Sequence, residues 1–334
     1  MYNSKIVGVG HYVPDNVVTN KDLEKLMDTS DEWIVERTGI RERRFVEKDS
    51  GDAPSTMGTK AARIAIERAG LTPDDIDFIV FATLSPDYFF PGPGVMVQEQ
   101  LGIKNIGALD VRNQCSGFIY SVSVADQFIK TGMYKNILVI GAELHSGGLD
   151  MTTRGRNVSV IFGDGAGAVV MQATEEKGKG VLSTHLYSEG KYAEELALIG
   201  PNTGHWVPEI MESEEEDLSY YPVMNGNFVF KNAVIRFQEV INEALQTNGK
   251  TSKEIDLLIP HQANLRISQY IQQKMGLSDD QVFNNIMKYG NTTAASIPIA
   301  MSEAWQEGKI KDGDTICLAA FGSGFTWGSA LINW

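Results

Sequence analysis

Apolar positions along the chain fall into two alternating patterns. The stretch TMGTKAARIAIERAG (56 to 70) has helical spacing and ends on a glycine, and IDFIVFAT (76 to 83) after it is a continuous β-branched and aromatic run. Such a run predicts a strand covered on both faces. The same order of patterns returns later, where NAVIRFQEVINEALQTNG (232 to 249) predicts a helix and IDLLIP (255 to 260) a buried strand. After each strand come a loop and a second helix, SGFIYSVSVADQFIKTG (116 to 132) and TTAASIPIAMSEAWQEG (292 to 308), and then a further strand. Each series closes on a glycine-rich turn entering a last strand, FGDGAGAVVM (162 to 171) and FGSGFTWGSALINW (321 to 334). This alternation predicts a layered α/β architecture, with sheets flanked by helices.

The two series are in register. Asp77 and Asp256, Gly70 and Gly249, and Ile137 and Ile316 each lie 179 positions apart, which argues for an internal duplication. A seam near residue 174, in ATEEKGKG, divides the chain into halves spanning 1–173 and 174–334. Two stretches have no counterpart. Residues 19–50 are charged, contain Trp33 and read as a helical insertion in the first half. Residues 186–225 hold Pro201, Pro208, Pro222 and the acidic run Glu212 to Asp217, read as solvated loop because blocks of like charge stay in water.

Composition narrows the classes of function. A chain of 334 residues suits two fused domains with ample apolar surface to bury. Its formal charge of −14 disfavours nucleic acid and anionic membranes as partners, since both are negative, so an anionic ligand needs a local basic patch. The two cysteines, Cys115 and Cys317, sit in unrelated contexts, which predicts no disulfide framework and a reducing compartment, the cytoplasm. No run of 18 apolar residues occurs and the N-terminus, MYNSKIVGVGHYVP, has no long apolar leader, so neither export nor membrane insertion is expected. No metal site is expected either.

Three residues stand out chemically. Cys115 in NQCSGF directly precedes a predicted helix, where unpaired N–H groups and the positive end of the macrodipole stabilise a thiolate, so it is a candidate nucleophile. The competing reading is a small buried hydrophobe, and that is the reading given to Cys317 inside ICLAAF. His261 in PHQAN follows a central strand at its carboxyl end, where open α/β sheets place ligands. Asn291 in GNTTAAS opens the helix whose first-half counterpart is announced by Cys115, so the duplication brings the two segments toward one another. A lone His or an Asn after Gly is ordinarily structural. The three together at strand-to-helix junctions around a pseudo-two-fold axis are a candidate site.

The motifs DEWIVERTGIRERR (31 to 44), CSGF, FGDGAGAVV, PHQAN, GNTTAASIP and FGSGFTWG together resemble the thiolase superfamily, and within it 3-oxoacyl-(acyl-carrier-protein) synthase III, over essentially the whole chain. The resemblance implies a duplicated thiolase-like fold, layered α-β-α-β-α with two mixed five-stranded sheets. It implies decarboxylative Claisen condensation of an acyl-CoA primer with a malonyl thioester on acyl carrier protein, through an acyl group held on Cys115. His261 and Asn291 then donate hydrogen bonds to the enolate-like oxyanion, and the backbone N–H groups of Cys115 and Ser323 form a second oxyanion pocket. Phe321 is expected to pack between the donors and Cys115. Coenzyme A enters as a substrate thioester, with no permanently bound cofactor, against Trp33, Arg37, Arg156 and Asn264. Phe162 lines the acyl pocket, and Phe90 in SPDYFFPGPGVMVQ reaches into a neighbour's pocket across a homodimer. Lys231, Arg266 and Lys274 offer docking charge to acidic acyl carrier protein.

Departures from the family pattern bear on the primer. Asn113 and Gln114 replace small apolar residues, Gly94 replaces a common Ala, and Ser323 stands where Gly is usual, keeping the N–H while restricting φ. An acyl-CoA of short straight or branched chain is the expected primer, with a longer one left open. A secondary-metabolite condensing enzyme of the same superfamily is the alternative. Relatives that need a catalytic Glu are disfavoured, because no Glu sits in the CSGF, PHQAN or GNTTAASIP motifs. A Cys-His-Asn hydrolase similar to papain-like proteases shares the residue types but not the duplication. A non-catalytic scaffold would have no need of all three polar residues.

Overall fold

The computed structural model describes residues 2–200, 208, 211, 212 and 218–334. Pro201 and residues 213–217 of the acidic run lie outside the described residues. In chain order the principal elements of the first half are β1 (Asn3–Tyr12), α1 (Asp31–Thr38), α2 (Pro54–Arg68), β2 (Phe78–Ala82), α3 (Pro93–Leu101), β3 (Gly107–Val111), α4 (Gly117–Lys130), β4 (Asn136–Glu143) and β5 (Gly165–Thr174). They continue with β6 (Gly180–Ser188), α5 (Gly226–Thr247), β7 (Leu257–Pro260), α6 (Leu265–Met275), α7 (Ser296–Gln306), β8 (Thr315–Gly322) and β9 (Thr326–Asn333).

One mixed sheet runs β1-β5-β4-β2-β3 and a second β7-β8-β9-β6. Strands β2, β3 and β4 are parallel to one another, as are β7 and β8, and the remaining pairs are antiparallel. Alternation along β2 shows why its run is apolar throughout. Phe78 and Val80 face a core between the sheets, while Ile79 and Phe81 face the outer helix α2. Between the sheets lie α4 and α7, contributing Phe118, Ile119 and Val122 from one and Ile297, Ala300 and Met301 from the other. Helix α5 covers the far face of the second sheet through Phe237, Val240 and Ile241. The layers are therefore α-β-α-β-α, as the resemblance implies.

The second sheet departs from the expected five strands. It has four among the described residues, and the place of β3 beside β7 is reduced to a single parallel bridge between Leu258 and Val282. The chain beyond, Ile286–Tyr289, is a helical turn that buries Ile286 against Leu23, Ile34 and Ile40 of the first-half insertion. Packing against that insertion draws the segment off the sheet edge. The insertion itself is less helical than its charge pattern suggests, since Val17–Thr19 pairs with Glu42–Arg44 around α1 and a four-residue turn, Asn20–Leu23. Fully buried Arg43 ties it inward by donating to Asn20 Oδ1 and the Val160 carbonyl, both at 2.8 Å.

The offset of 179 holds to the residue at the centre of the molecule. Both ends of β4 and β8, and the first residues of α4 and α7, are separated by it. So are Gln114 and Thr293, which among the described residues are the non-glycines with positive φ, at 44° and 49°. Outside this frame lie residues 19–50, the long connection 144–164 between β4 and β5, and residues 189–225, where Leu196–Ala197 pairs with Val223–Met224.

Candidate active site

Cys115 leaves β3 through a tight turn. Gln114 occupies the left-handed region, a conformation that costs a non-glycine residue free energy and marks positions held by their surroundings. The turn Gln114–Ser116 then runs into α4. Behind the cysteine, Gly322 at the end of β8 is required by space alone, because a Cβ there would lie 2.5 Å from Cys115 Cβ and 2.9 Å from its Sγ. That close approach brings the backbone N–H of Ser323, with that of Cys115 itself, onto the thiol.

The sequence expectation of a stabilised thiolate is not met. Burial pushes the Cys115 thiol up to about 12, and the nearby Glu143 adds to the rise, while the two N–H groups only offset it in part. Helix-terminal partial charge is outweighed by desolvation of the buried sulfur. Alkylation of Cys115 by iodoacetamide, followed by peptide mass, is therefore expected to quicken about tenfold per pH unit from pH 7 to 10 without levelling, since only the thiolate reacts. A plateau near pH 8 would contradict this.

His261 follows β7, its N–H held by the Ala319 carbonyl at 2.8 Å. Its Nδ1 lies 2.7 Å from Ser296 Oγ at the start of α7, and its buried Nε2 has no hydrogen-bond partner. Burial lowers its pKa to about 3, so the ring is neutral. Ser296 Oγ also accepts from the Gln262 N–H at 3.4 Å, and when its own proton goes to Nδ1 the ring proton stands on Nε2. Asn291 is clamped through its main chain to Ile161 O at 2.8 Å and Gly163 N at 3.1 Å. Its Oδ1 accepts from the Thr293 N–H at 2.8 Å, so the amide NH2 is the end left for a ligand. Two neutral donors thus stand in the same cleft as a thiol.

That cleft, about 590 Å³, is lined by Cys115, His261, Asn291, Phe321 and Gly322 from the duplicated frame. Its walls also include Trp33, Arg37, Asn157, Phe162, Leu196, Met224, Asn264 and Arg266. Arg156 stands outside the lining but its guanidinium, like that of Arg37, lies over Trp33, at 5.3 and 4.5 Å from the ring centroid. Asn264 is partly committed, because its Oδ1 caps α6 at Arg266 N and its Nδ2 donates to the Arg37 carbonyl, both at 2.9 Å. Phe321 packs on Phe325 with ring centroids 4.8 Å apart. Ser323 keeps an ordinary φ, and its hydroxyl donates to the Leu196 carbonyl of the cleft wall. Lys231 and Lys274 are exposed and do not line the cleft, and Phe90, 78% exposed, does not line the cleft of its own chain either.

Sequence reasoning missed Ser296, Gly322 and Glu143. The duplication held a signal for two of them, since 322 is the counterpart of 143 and 294 that of 115. Where Gly322 meets Cys115, Glu143 meets Ala294, accepting from its N–H at 3.4 Å as well as from Ser85 Oγ at 2.7 Å, Thr83 Oγ1 at 3.0 Å and Leu84 N at 3.1 Å. Burial raises its pKa to about 7 despite these donors.

Comparison with known proteins joins this geometry to a family. The family described as 3-oxoacyl-[acyl-carrier-protein (ACP)] synthase III matches residues 109–190, and its C-terminal counterpart matches residues 245–334. The chain is 46% identical over 330 residues to beta-ketoacyl-[acyl-carrier-protein] synthase III 1 of Vibrio vulnificus, covering 99% of each chain. The crystal structure of 3-oxoacyl-[acyl-carrier-protein] synthase III from Aquifex aeolicus aligns with a TM-score of 0.90 at 45% identity, over 99% of this chain and 100% of that one. The priming beta-ketosynthase of the R1128 polyketide biosynthetic pathway aligns with a TM-score of 0.89 at 31% identity, over 99% and 96%.

Proposed function

The chain belongs to the 3-oxoacyl-[acyl-carrier-protein] synthase III family and is a condensing acyltransferase, and from that premise we propose that it starts fatty acid synthesis by joining an acyl-CoA primer to malonyl-acyl carrier protein. The observation that carries this reading is the convergence of a thiol held by two backbone N–H groups with two neutral side-chain donors in one cleft. In the first half-reaction Cys115 Sγ attacks the acyl thioester, the tetrahedral oxyanion sits on the N–H groups of Cys115 and Ser323, and coenzyme A leaves as its thiol. The thiol proton passes to that leaving group, which suits a sulfur that is protonated at rest. In the second, the malonyl carboxylate departs as CO2 and its electron pair becomes an enolate on the thioester carbonyl. His261 Nε2–H and the Asn291 amide stabilise that oxygen. The enolate carbon then attacks acyl-Cys115, and the thiolate released takes up a proton from solvent to restore the resting thiol.

Trp33, with Arg37 and Arg156 over its ring, is the proposed seat of the adenine end of coenzyme A. Trp33→Ala is expected to raise KM for acyl-CoA about tenfold with kcat nearly unchanged, the pattern of lost ground-state binding. Steady-state rates with acyl-CoA and with an acyl-pantetheine, which lacks the adenine, check this. Only the former should respond. Arg266 at the cleft, with Lys231 and Lys274 nearby on α5 and α6, gives an otherwise acidic protein the positive surface that acyl carrier protein needs. A homodimer is proposed on the exposed aromatic run Tyr88, Phe89 and Phe90 and on β3, a sheet edge with Leu109 exposed. Phe162 in the cleft wall and the partner's aromatic loop would then bound the acyl chain.

The test is intact-mass measurement after brief exposure to a panel of acyl-CoAs, followed by malonyl-acyl carrier protein. One acyl mass should appear on the protein and disappear on addition of the second substrate, yielding 3-oxoacyl carrier protein. Absence of any adduct, from acyl-CoA or from carrier-bound acyl groups, sinks the proposal. Similarity to the R1128 priming enzyme favours one second reading, a secondary-metabolite condensing enzyme using the same residues, and a strong preference for a long or unusual primer in the panel would select it.

A further inference from the structure

Among the described residues the proposed chemistry leaves one buried histidine unused, and it stands behind Asn291. The main-chain N–H of His145 is held by Asp164 Oδ1 at 2.7 Å, its Nε2 lies 2.6 Å from Thr293 Oγ1, and its ring centroid is 4.8 Å from that of Phe162. Burial lowers its pKa to about 4, so this contact is between neutral groups. Thr293 is strained, a β-branched residue at φ 49°, where such side chains are rare and persist only when their surroundings hold them. Its symmetry counterpart, Gln114, has the same backbone conformation directly before Cys115. One turn thus presents the thiol in one half and fixes the amide in the other, because the Thr293 N–H is the group that grips Asn291 Oδ1. The main chain of Asn291 is in turn bridged to Phe162, the ring that His145 backs.

We propose that His145 is a positioning residue for the condensation: by anchoring the Thr293 hydroxyl it keeps the Thr293 N–H on Asn291 Oδ1 and so aims the Asn291 NH2 at the malonyl thioester oxygen. This rests on the reading of Asn291 as an oxyanion donor. An amide free to turn would present its oxygen to the developing negative charge, replacing attraction by repulsion. The effect belongs to the malonyl step alone, since acyl transfer to Cys115 uses the other oxyanion pocket.

The experiment measures two rates in His145→Leu, His145→Gln, Thr293→Val and Asn291→Ala: acyl-Cys115 formation from acetyl-CoA by intact mass, and CO2 release from malonyl-acyl carrier protein by the acylated enzyme. His145→Leu is expected to slow CO2 release about tenfold, as loss of one buried hydrogen bond does, with acylation within about twofold. His145→Gln, whose amide reaches the same hydroxyl, should recover most of the rate. Thr293→Val keeps the branched shape and loses the hydroxyl, so it should match His145→Leu, and the double variant should be no slower than either. Should His145→Leu not fold, Thr293→Val and His145→Gln carry the same comparison. The inference is overturned if CO2 release is normal in these variants while Asn291→Ala is slow, or if both half-reactions fall together without rescue by Gln. If Asn291→Ala itself releases CO2 at the native rate, the donor role of Asn291 fails first, and the inference with it.

Discussion

Cys115→Ala is expected to form no acyl adduct with any thioester and to lose condensation by about 10⁴-fold or more, the scale on which removal of an enzyme nucleophile acts. The fold should survive. The substitution deletes one buried sulfur from a site where Gly322 already packs against the Cys115 Cβ, so the space left is small and the expected stability change is about 1 kcal/mol. His261 and Asn291 keep their own supports in Ser296 and Thr293, so slow CO2 release from malonyl-acyl carrier protein should persist in the variant. Intact mass and a CO2 assay on the same preparation give both readouts. An adduct on the variant would move the nucleophile elsewhere.

His261→Ala carries the second large effect. Loss of one preorganised oxyanion donor is expected to cost about 10²- to 10³-fold in the malonyl step. Acyl-Cys115 should still form, because the hydrogen bonds of His261 run to Ala319, Ala263 and Ser296 and leave the N–H groups on the thiol untouched. Adding Asn291→Ala should cost less than the product of the two single effects, since both donors serve one oxygen. The pH profile separates this role from base catalysis. An imidazole at its ordinary 6.5 would impose a break on the acid limb of the malonyl step, whereas one lowered to about 3 stays neutral, and the native rate should show no His261 break between pH 8 and 5.5. A clear break near 6.5 that vanishes in His261→Ala would assign the ring a proton-transfer role instead.

How far the chain could be read from its letters follows from what local patterns encode. Strands β2, β4 and β8 were legible because both faces are buried and the runs are apolar throughout, and the duplication was legible because β4 and β8 keep a fixed spacing. Cys115, His261 and Asn291 were legible as residues placed at junctions of that frame. The fate of the β3 counterpart was not, because it is decided by the contact of Ile286 with Leu23, Ile34 and Ile40, some 250 positions away in sequence for two of them. The protonation of Cys115 was read in the wrong direction from its place before α4, since a helix start is visible in sequence and the depth of burial is not. Ser296 was hidden for a similar reason, as a serine opening a helix looks like a cap until the imidazole beside it is seen.

Much of the cleft wall comes from the three stretches outside the repeated frame, Trp33 and Arg37 from the first, Asn157 and Phe162 from the second, and Leu196 and Met224 from the third, while Asn264 and Arg266 at the start of α6 and the reacting groups belong to the frame itself. The thiol and the imidazole take their positions from junctions of that frame, whereas Asn291 is also clamped to Ile161 and Gly163 of the second stretch. Thioester binding and chemistry therefore draw on partly different stretches of the chain. Changes of length in the first and third stretches are expected to alter thioester binding before they alter the reacting groups.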